Sequence, residues 1–289
     1  MALDSMQEIF DKAAKGNKPF WRVVLDTDME EREVTEAASM ERMRFTWQAM
    51  LESVESYQGD RRSVSGLVGG DGKRMREYTD ALCGTYLQEV VATALSVGES
   101  NACMCKIVAA PTAGACGVLP AVLVPLYKSG GATEEEILKA LYVASGIGAV
   151  IAFRACIAGA AGGCQAEIGS ASAMAAGALV ALRGGNNDQI GNAVAMALKN
   201  LMGLVCDPVA GLVEVPCVKR NVVGSVNAIT CADMAMAGVE SRIPVDQVID
   251  CMGDVGRRMP VEFRETALGG LAVTPFGLSI KEKMLKGEF

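Results

Sequence analysis

The sequence predicts a mainly α-helical protein with a single helical main domain, whose helices are joined by glycine-rich turns. Apolar residues recur at helical spacing along much of the chain, whereas the alternating pattern of β-strands is scarce. The chain is 51% hydrophobic but only 5% aromatic, so small and aliphatic side chains are expected to pack the helices closely. We expect its 289 residues to form an N-terminal helical arm, residues 1–64, and a main domain, residues 65–289.

The N-terminal arm is charged and helix-prone. Residues 34–56, VTEAASMERMRFTWQAMLESVES, repeat apolar side chains at helical spacing, and Thr35 is a candidate N-cap. Residues 59–75, GDRRSVSGLVGGDGKRM, form the clearest break because they contain five glycines, four basic residues and no periodicity. An amphipathic helix is expected from Tyr78 to Val97, followed by a glycine-rich turn at residues 109–120.

Caps, glycines and prolines delimit the elements that follow. Thr133 precedes three glutamates, which is the hydroxyl cap and acidic first turn of a helix start. Residues 163–185 predict a cysteine-bearing turn, a small-residue helix and a glycine stop. Pro208, Gly211 and Pro216 predict a loop. Further helices are expected at residues 134–153, 188–206, 220–238 and 244–259.

Charge and composition exclude several classes of protein. The net charge of −7 argues against a nucleic-acid partner, which requires a basic surface. The apolar stretches 107–127 and 141–163 approach the length of a membrane span, but the first contains three prolines and the second contains Arg154. A buried helical core is therefore expected, with no membrane partner. The polar N-terminal residues and ten cysteines outside any disulfide framework favour a reducing, cytoplasmic compartment.

Three cysteines stand out among the ten. Cys164, Cys206 and Cys217 follow the spacing C-x41-C-x10-C and are surrounded by glycine, proline and short polar residues. Three thiolates are one short of the four that complete a structural zinc site or an electron-transfer cluster. A cubane held by three cysteines leaves one iron free to bind a substrate oxygen as a Lewis acid. Mixed cysteine–histidine zinc sites are excluded because the chain has no histidine.

Three segments of the chain carry a resemblance to a known family. They are APTAGACGVLPAVL (110–123), GGCQAEIGSASAMAAGAL (162–179) and NLMGLVCDPVAGLVEVPCVKRN (200–221). These segments strongly resemble the iron–sulfur-dependent L-serine dehydratases, and in particular the α subunit of the two-subunit type. The resemblance covers roughly residues 65–275.

The resemblance implies a mainly helical catalytic domain at residues 65–289 and a [4Fe-4S] cluster on Cys164, Cys206 and Cys217. It implies the substrate L-serine, which is deaminated to pyruvate and ammonia. It also implies a separate β subunit, and therefore a hetero-oligomer.

The general base has to be found without histidine. Single-chain relatives commonly carry a histidine where this chain has Lys199, and some end in a cysteine, whereas the last cysteine here is Cys251. Lys199 is the first candidate, because a helix through residues 188–206 would place it two turns before Cys206 on the same face. Glu167, three residues after Cys164, is the second candidate, although it would also suit binding of the substrate ammonium or capping of a helix.

Substrate contacts are expected from three places. The turn PTAGACG resembles the family's carboxylate-binding turn, which implicates Thr112, Ala113 and Gly114, although a tight turn alone would also need glycine. Ser170 and Ser172 would bond to substrate or to the cluster, or would simply allow close packing. Asn200 would bind substrate or tie down the cysteine-bearing loop. The other seven cysteines are assigned to packing: Cys83, Cys103, Cys105, Cys116, Cys156, Cys231 and Cys251.

Three alternatives stay open on the sequence alone. An L-cysteine desulfidase shares the family architecture, and a thiol binds iron at least as well as a hydroxyl does. An electron-transfer iron–sulfur protein is disfavoured by having three ligands instead of four. A pyridoxal phosphate dehydratase would catalyse the same reaction but needs more strands than the pattern supports.

Overall fold

The computed structural model describes residues 3–288, which form thirteen α-helices joined by short turns. The described residues contain no β-strand, and their only β feature is an isolated bridge between Cys206 and Arg264. The prediction of a mainly α single domain is confirmed. The helices are α1 Met6–Gly16, α2 Phe20–Arg32, α3 Glu36–Glu55, α4 Asp71–Glu77, α5 Gly84–Ala102, α6 Val118–Lys128, α7 Glu134–Arg154, α8 Gly159–Gly162, α9 Ser170–Leu182, α10 Asn187–Leu201, α11 Cys217–Met236, α12 Val245–Arg258 and α13 Pro275–Lys286.

The centre of the fold is α9, the helix of small residues. Every residue from Ser170 to Val180 is buried, and α9 packs against α7, α10 and α11. Close approach depends on the missing side chain of Gly177, because a Cβ there would lie 3.2 Å from the side chain of Val194. Small side chains therefore allow three helices to surround one, which places the start of α9 deep inside the protein.

The N-terminal helices pack onto this core. Thr35 caps α3 by accepting a hydrogen bond from the N–H of Ala38 at 3.3 Å, as predicted. The α2 helix lies against α7, and its buried residues Phe20 and Val24 belong to the same hydrophobic cluster as α7 and α9. The boundary between residues 64 and 65 stays a prediction.

The most apolar long helix, α7, begins with the predicted cap. Thr133 Oγ1 accepts from the N–H of Glu136, and the Glu136 carboxylate accepts from the N–H of Thr133, which together form a capping box. This helix is long and apolar enough to cross a membrane, but 67% of its apolar window is buried inside the fold. That burial is typical of the core helix of a globular protein.

Several predicted helix ends are wrong. The helix expected at residues 78–97 is observed at Gly84–Ala102, and the segment expected as a break at 59–75 includes α4. The helix expected at 188–206 ends at Leu201, because Gly203 has φ of 85° and turns the chain out of the helix. Helix α13 was not predicted either, although Thr274 and Pro275 form a good start signal.

Candidate active site

The three cysteines lie at breaks between helices. Cys164 precedes a π-helical turn, Gln165–Gly169, which leads into α9. Cys206 lies after α10, where its N–H donates to the carbonyl of Phe263 at 2.8 Å. Cys217 is the first residue of α11. All three are buried, so irregular backbone carries thiols from three parts of the chain into the interior.

Two of the thiols and one carboxylate converge. The Sγ atoms of Cys164 and Cys206 and a carboxylate oxygen of Glu167 all lie within 4.8 Å of one another. The close approach of the two sulfurs lowers the pKa of Cys164 and raises that of Cys206. Burial, with a further contribution from Cys164, raises the pKa of Cys217 to about 12. The three thiols therefore influence one another's protonation.

Arg220 supplies positive charge to this cluster. Its Nη1 donates to Cys164 Sγ at 3.4 Å and to the carbonyl of Val205 at 2.8 Å, and its Nη2 donates to Asp207 Oδ1 at 2.8 Å. The other oxygen of Asp207 accepts from the N–H of Leu271 at 2.8 Å. Arg220 was not predicted from the sequence, although it lies one helical turn after Cys217.

Glu167 is fixed beside the thiols. Thr112 Oγ1 donates to Glu167 Oε1 at 2.7 Å, and Cys164 Sγ lies 4.0 Å from Glu167 Oε2. Burial raises the pKa of Glu167, against the lowering effect of the hydrogen bond from Thr112. The site also needs Gly159, because a Cβ there would lie 2.8 Å from Glu167 Oε2 and 3.2 Å from Cys206 Sγ.

The turn of residues 111–117 reaches the same site. Its 3₁₀-helical residues Ala113–Ala115 include Gly114. A Cβ added at Gly114 would lie 3.2 Å from Glu167 Oε1. Asn221 holds this turn by donating to the carbonyl of Gly114 at 2.9 Å and accepting from the N–H of Gly117 at 2.8 Å. The same Asn221 amide donates to the carbonyl of Cys217 at 3.0 Å, so one side chain joins the turn to the third cysteine.

Lys199 has a different environment from the one expected. Its Nζ donates to the carbonyl of Ser241 at 2.7 Å, in the loop before α12. Because α10 ends at Leu201, the helical face that was expected to connect Lys199 with Cys206 does not extend that far.

The remaining polar candidates divide into two groups. Ser172 and Asn200 belong to a network around Asn227, whose Nδ2 donates to Ser172 Oγ at 2.9 Å and whose Oδ1 accepts from Asn200 Nδ2 at 2.7 Å. Ser170 lies three residues after Glu167, is fully buried, and its hydroxyl has no hydrogen-bond partner within residues 3–288. A buried hydroxyl without a hydrogen-bond partner destabilises a fold, so the Ser170 hydroxyl is a candidate for a hydrogen bond to a bound ligand.

The other cysteines follow the packing assignment only in part. Cys103, Cys116 and Cys231 are buried, but Cys83 and Cys251 are exposed, so the assignment of these two to packing is wrong. Their neighbouring residues gave no pattern from which exposure could be predicted.

The converged donor set can hold a metal. It offers two buried thiols and one carboxylate, and a third buried thiol, Cys217, begins the nearby helix α11. Thiolates suit soft metals and iron–sulfur clusters. A surface cavity of about 460 Å³ lies elsewhere, lined by residues that include Gln7, Asp188 and Asp246, and the cysteines do not line it.

Comparison with known proteins identifies the family. The family described as "Serine dehydratase alpha chain" matches residues 15–272. This chain belongs to the serine dehydratase alpha chain family. The family resemblance found in the sequence is thereby confirmed.

Named relatives cover nearly the whole chain. It is 45% identical over 268 residues to the "Probable L-serine dehydratase, alpha chain" of Bacillus subtilis, which spans 92% of this chain and 89% of that protein. It is 40% identical over 289 residues to the "L-serine dehydratase, alpha chain" of Peptoniphilus asaccharolyticus, which spans 98% and 99%. It is also 44% identical over 182 residues to L-serine dehydratase TdcG of Escherichia coli, spanning 62% of this chain and 40% of that protein.

Proposed function

We propose that this chain is the catalytic α subunit of an L-serine dehydratase, which converts L-serine to pyruvate and ammonia. The observation that carries the proposal is the convergence of the Cys164 and Cys206 sulfurs with the Glu167 carboxylate in a buried site. The relatives named L-serine dehydratase, alpha chain, support the same substrate and reaction.

The proposed cofactor is a [4Fe-4S] cluster held by Cys164, Cys206 and Cys217. Its support is a set of three buried thiols without histidine, together with Gly159, whose missing side chain leaves space beside Cys206. When bound, such a cluster supplies a Lewis acid that stabilises negative charge on the departing hydroxyl oxygen. Arg220, at 3.4 Å from Cys164 Sγ, offsets the negative charge of the thiolates.

Glu167 is the proposed general base. Its carboxylate takes the proton from Cα of serine, the C–H electron pair becomes the Cα=Cβ double bond, and the Cβ–O bond breaks. The hydroxide leaves as water after it gains a proton, and the aminoacrylate product tautomerises to an imine that water hydrolyses to pyruvate and ammonia. Thr112 orients the carboxylate through its 2.7 Å hydrogen bond.

The substrate carboxylate is proposed to bind along Thr112, Ala113 and Gly114, because this turn contacts Glu167 and is fixed by Asn221. The unpartnered hydroxyl of Ser170 is proposed as a second contact with the substrate.

Three other predicted site residues receive supporting roles in this proposal. Ser172 and Asn200 hold α9, α10 and α11 together through Asn227. Lys199 fixes the loop before α12 through the carbonyl of Ser241.

The proposed partner is a β subunit, in a hetero-oligomer located in the cytoplasm. The alpha-chain names of the relatives imply a second kind of subunit. Exposed apolar side chains concentrate near the C-terminus and include Leu268, Phe276 and Leu285, which would suit contact with another chain.

The substrate assignment is tested by anaerobic turnover. Purified chain with its partner should form pyruvate and ammonia in equal amounts from L-serine, and Cys206→Ser should abolish both products while Cys251→Ser retains them. Faster release of sulfide from L-cysteine than of ammonia from L-serine would instead support a desulfidase. Activity that survives in Cys206→Ser would overturn the proposed site.

A further inference from the structure

The glycine-rich segment that runs from the end of α3 into the first turn of α4 is attached to the loop that carries two of the cysteines. We name residues 57–72 the strap and residues 206–217 the cysteine loop. The five glycines of the strap are typical of a flexible linker. In the structure, however, its two serines and the N–H of Asp71 form hydrogen bonds with other parts of the fold.

The central contact is a buried carboxylate. Glu214 of the cysteine loop accepts at Oε2 from Ser63 Oγ at 2.8 Å and also from Ser65 Oγ. All three side chains are buried. A carboxylate in such a place requires donors, because a buried charge without partners strongly destabilises the folded state.

The strap presents its two serines in a fixed arrangement. The N–H of Ser63 donates to the carbonyl of Val68 at 3.0 Å, and the N–H of Gly66 donates to the carbonyl of Ser63 at 2.9 Å. The N–H of Leu67 donates to Ser65 Oγ at 3.1 Å. These bonds form a compact turn, which holds both serine hydroxyls in the positions from which they donate to Glu214.

The end of the strap is anchored separately. The buried Glu99 of α5 accepts from the N–H of Asp71 at 2.8 Å and from the hydroxyl of Tyr57. The carboxylate of Asp71 accepts in turn from Lys219 Nζ at 2.9 Å. Since Lys219 lies two residues after Cys217, the strap holds the start of α11 from a second direction.

Glu214 acts on Cys217 through the first turn of α11. The N–H of Val218 donates to the carbonyl of Glu214 at 3.0 Å. Val218 also packs with Val68 of the strap and Leu95 of α5 in a small hydrophobic cluster. Cys217 is thus flanked by a residue that bonds to Glu214 and packs on the strap.

We propose that Glu214 is a positioning residue for Cys217 and that Ser63 and Ser65 are the donors that hold it. The strap is then part of the metal-site scaffold, not a linker. The inference rests on the proposed function only in that Cys217 is taken as a metal ligand. Its structural part, the placement of the Cys217 thiol, can be measured without metal.

The test measures access to the Cys217 thiol in the full-length, reduced and metal-free chain. Iodoacetamide labelling is followed residue by residue by peptide mass mapping, for wild type, Glu214→Ala, Glu214→Gln and Ser63→Ala/Ser65→Ala. We expect labelling of Cys217 to be faster by about tenfold in Glu214→Ala and in the double serine variant, because local opening becomes more frequent. Glu214→Gln keeps an acceptor oxygen and should restore most of the protection. Exposed Glu77 offers the matched control, Glu77→Ala, which should label as wild type does.

The outcomes separate the two claims. Buried Cys116 and Cys231 should stay unlabelled in every variant, which shows that the fold is intact. If Glu214→Ala does not fold, the double serine variant decides, because it keeps Glu214. Wild-type labelling of Cys217 in a folded double serine variant would overturn the inference. Wild-type protein without iron and sulfide after anaerobic purification would overturn the proposed function instead, and the labelling result would still stand.

Discussion

At the scale of single residues, the candidates for proton transfer have different neighbours. Glu167 is bonded to Thr112 and lies within 4.8 Å of two thiols, whereas Lys199 is bonded to a backbone carbonyl in the loop before α12. Geometry therefore favours the carboxylate as the base of this histidine-free chain. The lysine is better placed to hold α10 against that loop.

Substitution of the two residues should separate these roles. Glu167→Gln should retain iron and lower kcat by roughly 10²–10⁴-fold, the usual range for loss of a general base. Lys199→Met should change kcat little and lower the melting temperature, since Ser241 loses its donor. Steady-state pyruvate formation and deuterium exchange at Cα of recovered serine provide the measurements. A large loss of kcat and exchange in Lys199→Met, with both retained in Glu167→Gln, would restore the lysine as the base.

The absence of a side chain at Gly159 leaves space beside Glu167 and Cys206, and turnover of serine should depend on this space. Gly159→Ala would place a methyl group 2.8 Å from Glu167 Oε2 and 3.2 Å from Cys206 Sγ, so kcat/KM for serine should fall. Gly169→Ala is the matched control, because its Cβ would meet nothing closer than 3.9 Å. Equal kcat/KM values for the two variants would show that the space beside Gly159 has no role.

At the scale of elements, the site depends on how α9, α10 and α11 are joined. Asn227 of α11 donates to Ser172 of α9 and to the carbonyl of Ala197 in α10, and accepts from Asn200. Ser172 in turn donates to the carbonyl of Gly224 at 2.8 Å. One amide thus connects the three helices behind the start of α9, where Glu167 and Ser170 lie.

Removal of this amide should destabilise the fold without touching Cys164, Cys206 or Cys217. Asn227→Ala leaves several polar groups without partners and should lower the free energy of unfolding by about 1–3 kcal/mol. Thr230→Ala, at an exposed position of the same helix, is the control and should change it by less than about 0.5 kcal/mol. Urea denaturation followed by circular dichroism gives both values. Identical urea midpoints for Asn227→Ala and wild type would show that Asn227 does not stabilise the packing of these three helices.

Local signals predicted the helices better than their ends. Thr35 and Thr133 were predicted as caps because a hydroxyl next to an acidic first turn is a short-range pattern, and both cap in the structure. The end of α10 depends on the conformation of Gly203 and was placed too late. The π-helical turn after Cys164 has no short-range signal at all.

At the site, too, short-range patterns could be predicted from the sequence and long-range contacts could not. Spacing and flanking residues indicated the three cysteines and Glu167, because each lies in a characteristic segment. Asn221 was a candidate because it flanks the cysteine-bearing loop, but the contacts of Arg220 with Cys164 and of Glu214 with Ser63 join segments that are distant in sequence. Such contacts arise from the packing of α11 and could not be predicted from a single sequence.

At the scale of the whole molecule, the cysteine site lies under a C-terminal segment with an apolar surface. The bridge between Cys206 and Arg264 and the bond from Leu271 to Asp207 hold this segment over the site. Seven large apolar side chains here are between 41% and 82% exposed: Val261, Leu268, Leu271, Val273, Phe276, Leu278 and Leu285. The proposed β subunit would cover apolar surface continuous with the site.

The chain should therefore need its partner for full activity. We expect the chain expressed alone to self-associate or aggregate and to turn over serine slowly, because its apolar surface is uncovered. Co-expression with the β subunit should give a single complex with higher kcat. Analytical ultracentrifugation and pyruvate assays on the same samples provide the measurements. A monodisperse monomer with full turnover would contradict this prediction.

The central claim is that Cys164, Cys206 and Cys217 together hold an iron–sulfur cluster at which serine is dehydrated. The most direct measurement is iron and sulfide analysis of anaerobically purified protein, with pyruvate assays on the same preparations. Wild type and Cys251→Ser should contain about four iron and four sulfide per chain, as one cubane requires. Each single Ser variant of the three buried cysteines should lose both the cluster and pyruvate formation. Stoichiometric zinc without sulfide in the wild type, or wild-type iron and activity in any of those three variants, would contradict the account.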